Sequence, residues 1–264
     1  MKMKRTAKIL VLAFALVSSA SCKSAFELLL ESNDVDAKYK AAFEYLDQKK
    51  YDKSSQLFES LAMLTNGTER DDTVRYYWGF SNYSNKDYFT AETNFSNFLQ
   101  DYPRSPFAEP AQFLRIDCLF KSTLRWELDQ MPTYKALTAI NEYLLTHDSG
   151  ANVNMCRKMQ KTLEDRLDKK AFENAKLYYT MEDYKAARVA FRNILKDDAD
   201  NIYREQILYY TALSSYRYAL LSVKQKQQER YLVFRDDYLN FIGEFPESSK
   251  RKELDNLYEK SKQK

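Results

Sequence analysis

The sequence has 264 residues, of which 30% are charged and 15% aromatic, but only four glycines and five prolines. Because runs of alternating Val, Ile and Thr are absent as well, this composition excludes a mainly β architecture and predicts an all-α protein. The formal net charge is +3, and four of the cations lie within the first eight residues. Without them, 37 basic side chains balance 38 acidic ones, which argues against nucleic-acid binding.

The first 22 residues have the pattern of a lipoprotein signal peptide. Its basic start consists of Lys2, Lys4, Arg5 and Lys8. The apolar run from Ile9 to Val17 is too short to span a bilayer, and small residues lead from it to Cys22. We therefore expect residues 1–21 to be removed and the Cys22 thiol to be acylated, which anchors the chain in a membrane. Ser19 stands where such signals usually have Leu, and secretion with cleavage near Ala20 is the alternative.

The segment after the cysteine indicates where the protein resides. Lys23 stands where an inner-membrane retention signal would have Asp, so we expect the outer membrane, on its periplasmic face. Residues 22–35 are expected to form a tether with some helix. The periplasm permits disulfides, but Cys118 lies inside an apolar helix and Cys156 begins another. Two separate, partly buried thiols are expected, with a bridge between them as the alternative.

The stretch from Val74 to Pro103 predicts a helical hairpin. Gly79 lies in the first helix and lets a neighbour pack closely, and the second helix begins at Tyr88 after a short turn. One face of the second helix carries, at steps of three and four residues, Ala91, Phe95 and Phe98. This order of small residue, turn, Tyr, Ala, Phe and Pro is that of a tetratricopeptide (TPR) repeat.

Similar hairpins recur along the chain. The tyrosine that marks the second helix is found at Tyr51, Tyr88, Tyr134, Tyr184 and Tyr231. These tyrosines are 37 to 50 residues apart, against about 34 in the ideal repeat. We predict an α-solenoid of five TPR-like helical hairpins that form an elongated curved array, with a HEAT or armadillo solenoid as the alternative. The domain is expected to span residues 36–264, with repeats at 36–66, 70–103, 105–149, 153–200 and 201–247 before a C-terminal helix.

Motifs of enzymes are missing from the sequence. It contains no phosphate-binding loop, no GxSxG, no HExxH and no CxxC. His147 is the only histidine, and no second ligand accompanies it at metal spacing. Adjacent carboxylates such as Glu164 and Asp165 point about 100° apart on a helix, so they cannot flank one substrate bond. We interpret the protein as a binding protein, without catalytic residues, cofactor or metal.

Five TPR-like repeats behind a lipoprotein signal resemble the BamD family, in a Bacteroidetes-like form. Its members are TPR lipoproteins of the machinery that folds and inserts β-barrel proteins into the bacterial outer membrane. The segments that carry the resemblance are Phe98–Ser105, Asp129-Gln130 with Ala136, Lys170–Thr180 and Ser215-Tyr216-Arg217. The chain departs from the family at residues 146–148 and 198–200, where repeat ends would carry Tyr-Pro, and in the insertion at 224–230.

The resemblance implies two partner surfaces. The C-terminal repeats would dock on periplasmic domains of the barrel-forming subunit through Arg217, with Tyr216 beside it. The N-terminal repeats would receive the C-terminal signals of unfolded outer-membrane proteins, and accessory lipoproteins are further partners. The residues that match this peptide groove are Tyr76, Tyr77, Phe80 and Tyr83 on one helix, with Arg115 on the next repeat. An aromatic shelf beside a cation suits an extended peptide that ends in an aromatic residue and a carboxylate.

Each of these residues also has a structural explanation. The aromatic side chains could pack between repeats, and Arg217 could be a solvated or salt-bridged cation. Two other functions are open at this stage: a periplasmic TPR scaffold that binds cell-envelope or division proteins, and a glycan-binding lipoprotein. The glycan-binding class usually needs a longer chain with irregular loops between its repeats.

Overall fold

The computed structural model describes residues 23–263, and over this range the chain forms twelve α-helices and no β-strand. The all-α prediction is therefore confirmed. Among these helices, none combines the length and the apolar character needed to cross a membrane. The predicted leader and its acylated Cys22 lie outside the described residues.

The chain divides into two compact units, the first ending at Ser122 and the second beginning at Thr123. This boundary falls between the two helices predicted for the third repeat. The helices of the first unit are α1 (Ala25–Glu31), α2 (Val35–Asp47), α3 (Tyr51–Leu64), α4 (Asp71–Ser84), α5 (Tyr88–Asp101) and α6 (Ala108–Lys121). Those of the second are α7 (Met131–Thr146), α8 (Ala151–Thr180), α9 (Tyr184–Asp197), α10 (Arg204–Leu220), α11 (Lys224–Glu244) and α12 (Arg251–Lys262). Within each unit, consecutive helices pack against each other, as in a solenoid of helical hairpins.

The helix starts follow the tyrosine pattern closely, with two differences. Tyr51, Tyr88 and Tyr184 each begin a helix, whereas α7 begins three residues before Tyr134. The larger difference is α11, which starts seven residues before Tyr231, so that the insertion at 224–230 forms its first two turns. Its Lys, Gln, Glu and Arg residues are strong helix formers, and no Gly or Pro interrupts them.

Three hairpins are closed by the same tight turn. Each turn has one residue in the left-handed conformation, with φ near +60°: Lys49, Lys86 and Glu182. In the α4–α5 and α8–α9 turns an aspartate follows, and its carboxylate accepts a hydrogen bond from a backbone N–H of the next helix. These N-caps are Asp87, which accepts from Thr90, and Asp183, which accepts from Ala186. The repeated turn explains why short sequence signals predict the hairpins well.

The predicted apolar stripe forms the core of the α4–α5 hairpin. Ala91, Phe95 and Phe98 are buried and pack against α4 and α6. A Cβ atom at Gly79 would lie 2.9 Å from Cε1 of Phe95, so only glycine permits this approach. The close packing predicted for Gly79 is thus present.

The two cysteines of the described chain are both buried thiols, without a bridge between them. Cys118 lies in the first unit and Cys156 in the second. Burial raises the pKa of Cys118 to about 12, which makes its thiol unreactive near neutral pH. Both thiols therefore contribute to packing.

Candidate partner-binding surfaces

The aromatic residues predicted to line a peptide groove lie along α4 but differ in exposure. Tyr76 is only 8% exposed, and its ring stacks on Phe107 with centroids 4.6 Å apart. Burial raises the pKa of its hydroxyl to about 12. Because its ring is enclosed, Tyr76 supports the surface from below and offers little contact to a peptide.

Tyr77 and Phe80 are only half-buried and remain in contact with each other. The Tyr77 ring meets Phe43 edge-on at 4.8 Å and stacks over Phe58 at 6.0 Å, so it bridges α4 to α2 and α3. The Phe80 ring lies 6.2 Å from that of Tyr77. These two side chains form the accessible part of the predicted aromatic shelf.

Tyr83, the last of the four, belongs to a polar cluster at the end of α4. Its hydroxyl donates a hydrogen bond to Asp117 across 2.5 Å and accepts one from the Lys121 ammonium at 3.0 Å. Lys121 also forms an ion pair with Asp117 and lies 4.9 Å from the centre of the Tyr83 ring. Burial lowers the pKa of Lys121, but these contacts outweigh it and raise the pKa above its ordinary value, so the group stays cationic.

Arg115, the cation predicted for the groove, is paired within the first unit. Its Nε donates to Glu92 on α5 across 3.0 Å. The Arg115 side chain is 25% exposed, whereas that of Lys121 on the same helix is 35% exposed. Sequence reasoning missed Lys121, although its spacing of four residues from Asp117 was a signal for an ion pair on a helix.

The structure therefore divides the predicted groove residues into three groups. Tyr76 is a core residue, and Tyr77 with Phe80 forms a half-exposed aromatic surface. Tyr83 joins a polar cluster in which Lys121 is paired with Asp117, and Arg115 is paired with Glu92, so both cations already have a carboxylate partner. An aromatic shelf near positive charge is retained, but with fewer accessible rings than predicted.

The second predicted surface lies at the end of α10. Tyr216 is buried and packs against Tyr231 and Phe234 of α11, with ring centroids 5.8 and 5.2 Å apart. Arg217 is exposed, and its guanidinium faces the Tyr179 hydroxyl at the end of α8. Burial raises the pKa of Tyr179, and Arg217 opposes this change. Of the pair, only Arg217 is available to a partner, and Tyr216 positions the helix that carries it.

Apolar side chains follow Arg217 in the α10–α11 connection. Leu221 and Val223 are both largely exposed. Exposed aliphatic residues next to an exposed guanidinium are typical of protein interfaces. Neither residue was singled out from the sequence.

The structure gives no sign of a metal centre among residues 23–263, where no group of three or more His, Cys, Asp or Glu side chains is arranged to hold an ion. His147 follows the last residue of α7 and stacks on Tyr143, with ring centroids 4.2 Å apart. A ring nitrogen of His147 also lies 3.1 Å from the Tyr143 carbonyl oxygen. The lone histidine thus caps a helix.

Comparison with known proteins gives a family match and similarity to solved structures. The family model described as "YfiO: Outer membrane lipoprotein" matches residues 31–232, which is more than half of the chain. Among solved structures, the chain is similar to the "TPR2AB-domain:pHSP90-complex of yeast Sti1" at 15% identity and a TM-score of 0.42. That alignment covers 86% of this chain and 98% of the other. A comparison with curated protein sequences found no match.

Proposed function

The chain belongs to the YfiO family of outer membrane lipoproteins, the BamD-like family expected from its sequence, and from this membership we propose that it serves the assembly of β-barrel proteins. In this role it is a non-enzymatic scaffold, held by an acylated Cys22 at the periplasmic face of the outer membrane. The observation that carries the proposal is the family match at residues 31–232, because this range contains both candidate surfaces. Stacked helical hairpins suit the role because they present extended surfaces to other proteins.

The surface around Arg217 is proposed to bind the periplasmic domains of the barrel-forming subunit. Its exposed guanidinium can pair with a carboxylate of that subunit, and the exposed Leu221 and Val223 add apolar contact. Tyr216 supports this surface from the core, where it holds α10 against α11.

The surface on α4 is proposed to bind the C-terminal signals of unfolded outer-membrane proteins. Tyr77 and Phe80 offer aromatic contact to an extended peptide, and the Lys121 ammonium, which is already paired with Asp117, can share its charge with the terminal carboxylate of the peptide. Arg115 is already paired with Glu92, so it can bind the peptide carboxylate only if its guanidinium contacts both carboxylates.

Affinity purification of the tagged protein from solubilised outer membranes tests the proposal. The barrel-forming subunit should co-purify, together with any accessory lipoproteins. Recovery of a division protein, a cell-wall enzyme or a glycan transporter in its place would overturn the assembly role.

A photo-crosslinking amino acid on the aromatic shelf tests the peptide surface separately. Placed at Phe80, it should crosslink to a peptide that ends in phenylalanine with a free carboxylate, and not to the same peptide with an amidated end. Phe89 on α5 provides the matched control, because its ring is largely exposed but lies outside the proposed surface. Equal crosslinking at Phe89 would show that the peptide binds any exposed aromatic residue.

A further inference from the structure

We propose that the second unit carries an additional docking cleft, formed by α7, α8 and α9, for an extended lysine- or arginine-bearing segment of a partner protein. The cleft has a volume of about 840 Å³ and includes the loop that follows α9. We call it the acidic cleft. None of its lining residues belongs to the surface around Arg217, so it is a further site beyond the proposed function.

The charge of the cleft is strongly negative. Its carboxylates are Glu164, Asp165, Asp168, Asp197, Asp198 and Asp200. The single lysine of the lining, Lys161, is already paired with Asp165 across 3.3 Å. A basic segment would therefore meet an excess of uncompensated carboxylates, which attract it and select against acidic segments.

Two carboxylates of the cleft are close enough to oppose each other's ionisation. Burial raises the pKa of Asp168, and the neighbouring Asp198 carboxyl raises it further. A backbone hydrogen bond from Ile202 to Asp168, with N–O distance 2.9 Å, offsets part of this effect. A lysine or arginine side chain placed beside the two carboxyl groups would favour their ionised forms.

The cleft also has apolar side chains that are open to solvent. Tyr134 is 53% exposed and Ile202 is 51% exposed, and Leu167, Ala171, Ala190 and Ile194 are the other apolar residues of the lining. An isolated cation would gain nothing from such a surface. A protein segment, in contrast, can place aliphatic or aromatic side chains there while its basic groups reach the carboxylates.

Asn201 supplies the feature that points to a peptide backbone. Its side chain is only 3% exposed, and its Oδ1 accepts a hydrogen bond from the Tyr203 N–H at 3.0 Å. Its Nδ2 makes no hydrogen bond within residues 23–263. Every fully enclosed side-chain polar atom of that range has a hydrogen-bond partner, so Nδ2 is not fully enclosed. Nδ2 therefore keeps some contact with solvent, and Asn201 is a lining residue of the cleft. The carbonyl oxygen of a bound peptide would give this amide N–H an acceptor in place of water.

Fluorescence anisotropy on the detergent-solubilised full-length protein tests the cleft. The probe is a labelled peptide in which lysine and leucine residues alternate on a glycine–serine background. It should bind about tenfold more tightly than a peptide with glutamine in place of lysine, and its affinity should fall as NaCl is raised to about 0.3 M. A peptide with serine in place of leucine should also bind more weakly. Equal affinity for the lysine and glutamine peptides would overturn the proposal. Equal affinity for the leucine and serine peptides would show that charge attraction alone accounts for the binding.

Two triple variants with the same change in charge locate the site. In the cleft, the combined change of Glu164→Gln, Asp197→Asn and Asp198→Asn should weaken binding about tenfold. The matched control changes three exposed carboxylates of the same unit that lie outside the cleft: Glu229→Gln, Asp236→Asn and Glu247→Gln. It should change the affinity by less than about twofold. Equal losses in both variants would show that the peptide senses only net charge.

Asn201→Asp separates the amide donor from the charge of the cleft. The variant keeps an acceptor for the Tyr203 N–H, loses the amide donor and adds one negative charge. If the amide binds a peptide carbonyl, affinity should fall severalfold even though the cleft becomes more acidic. Unchanged or tighter binding, at an unchanged melting temperature, would contradict the assigned role of Asn201.

Discussion

The Tyr102 hydroxyl donates a hydrogen bond across 2.6 Å to the Asp71 carboxylate, so the residue that follows α5 is tied to the first turn of α4. Asp71 is 1% exposed and also accepts hydrogen bonds from the Gly67 N–H and from Arg75. Burial raises the pKa of Asp71, but these donors outweigh burial and hold the pKa below its ordinary value. The hairpin that carries the aromatic shelf thus depends on an ionised, enclosed carboxylate.

Tyr102→Phe removes one of the three donors without changing the volume of the ring. The buried Asp71 carboxylate then keeps its hydrogen bonds from Gly67 and Arg75 but loses the third, so we expect the free energy of unfolding to fall by about 1–2 kcal/mol. Urea denaturation followed by circular dichroism measures this change. Tyr178→Phe is the matched control, because that exposed hydroxyl makes no hydrogen bond with any residue from 23 to 263. A similar loss in both variants would contradict the role assigned to the Tyr102 hydroxyl.

The lowered pKa of Asp71 also predicts a dependence of stability on pH. Because the folded protein binds this proton less readily than the unfolded chain, the carboxylate stabilises the fold above the unfolded pKa of about 4. That contribution is lost as the pH falls through the lower, folded-state pKa. The stability difference between the wild type and Asp71→Asn, measured by thermal melting, should therefore shrink as the pH is lowered from about 6 to about 3. A difference that stays constant over this range would show that ionisation of Asp71 does not matter.

The fold could be predicted from the sequence because the hairpin signals are local. Ala91 and Phe95 lie on one helix face at a fixed spacing, and the turns between the helices use the same few residue types. The helical periodicity of these apolar residues is enough to predict that they are buried, since the apolar face of a helix packs against its neighbour. The start of α11 could not be located from the apolar pattern, because the first two turns of this helix are polar and carry no apolar stripe.

The candidate site could be predicted only in part because exposure depends on distant residues. Tyr76 and Tyr77 are neighbours on α4, but Tyr76 is covered by Phe107, which precedes α6. The pairing of Arg115 with Glu92 likewise joins two helices, and no spacing within one helix reveals it. The BamD-like resemblance is confirmed at the level of the family, whereas the exposure of individual side chains had to come from the structure.

Gly79→Ala tests the close approach of α4 and α5. The added Cβ would meet the fully buried Phe95 ring at 2.9 Å, so the ring or the helix must shift. We expect the free energy of unfolding to fall by about 1–3 kcal/mol in urea denaturation. Gly243→Ala is the control, since nothing lies within 4 Å of the added atom and α11 should gain about 0.5–1 kcal/mol. A neutral or stabilising effect of Gly79→Ala would show that the hairpin is more loosely packed than described.

Cys22→Ala tests the lipid anchor predicted from the leader. Two or three acyl chains bury far more methylene groups than a single chain, which alone gives only marginal membrane binding. The wild type should therefore remain in the membrane pellet after a high-salt wash, and Cys22→Ala should appear in the soluble fraction. Cys118→Ala, which removes a buried thiol of the first unit, should leave the wild-type distribution unchanged. A Cys22→Ala protein that stays in the pellet would count against acylation at this residue.

Arg217→Glu tests the surface proposed for the barrel-forming subunit. The change replaces an exposed cation by an anion, so it removes a favourable charge contact and adds repulsion. We expect association with the purified subunit, measured by surface plasmon resonance, to weaken by at least about tenfold. Helicity and melting temperature should stay unchanged, because the buried Tyr216 still holds α10 against α11.

Arg157→Glu is the control for this prediction: it reverses the charge of an exposed arginine on α8 of the same unit and should retain wild-type affinity. Wild-type affinity in Arg217→Glu would show that the subunit docks elsewhere, whereas equal losses in both variants would reduce the effect to overall charge.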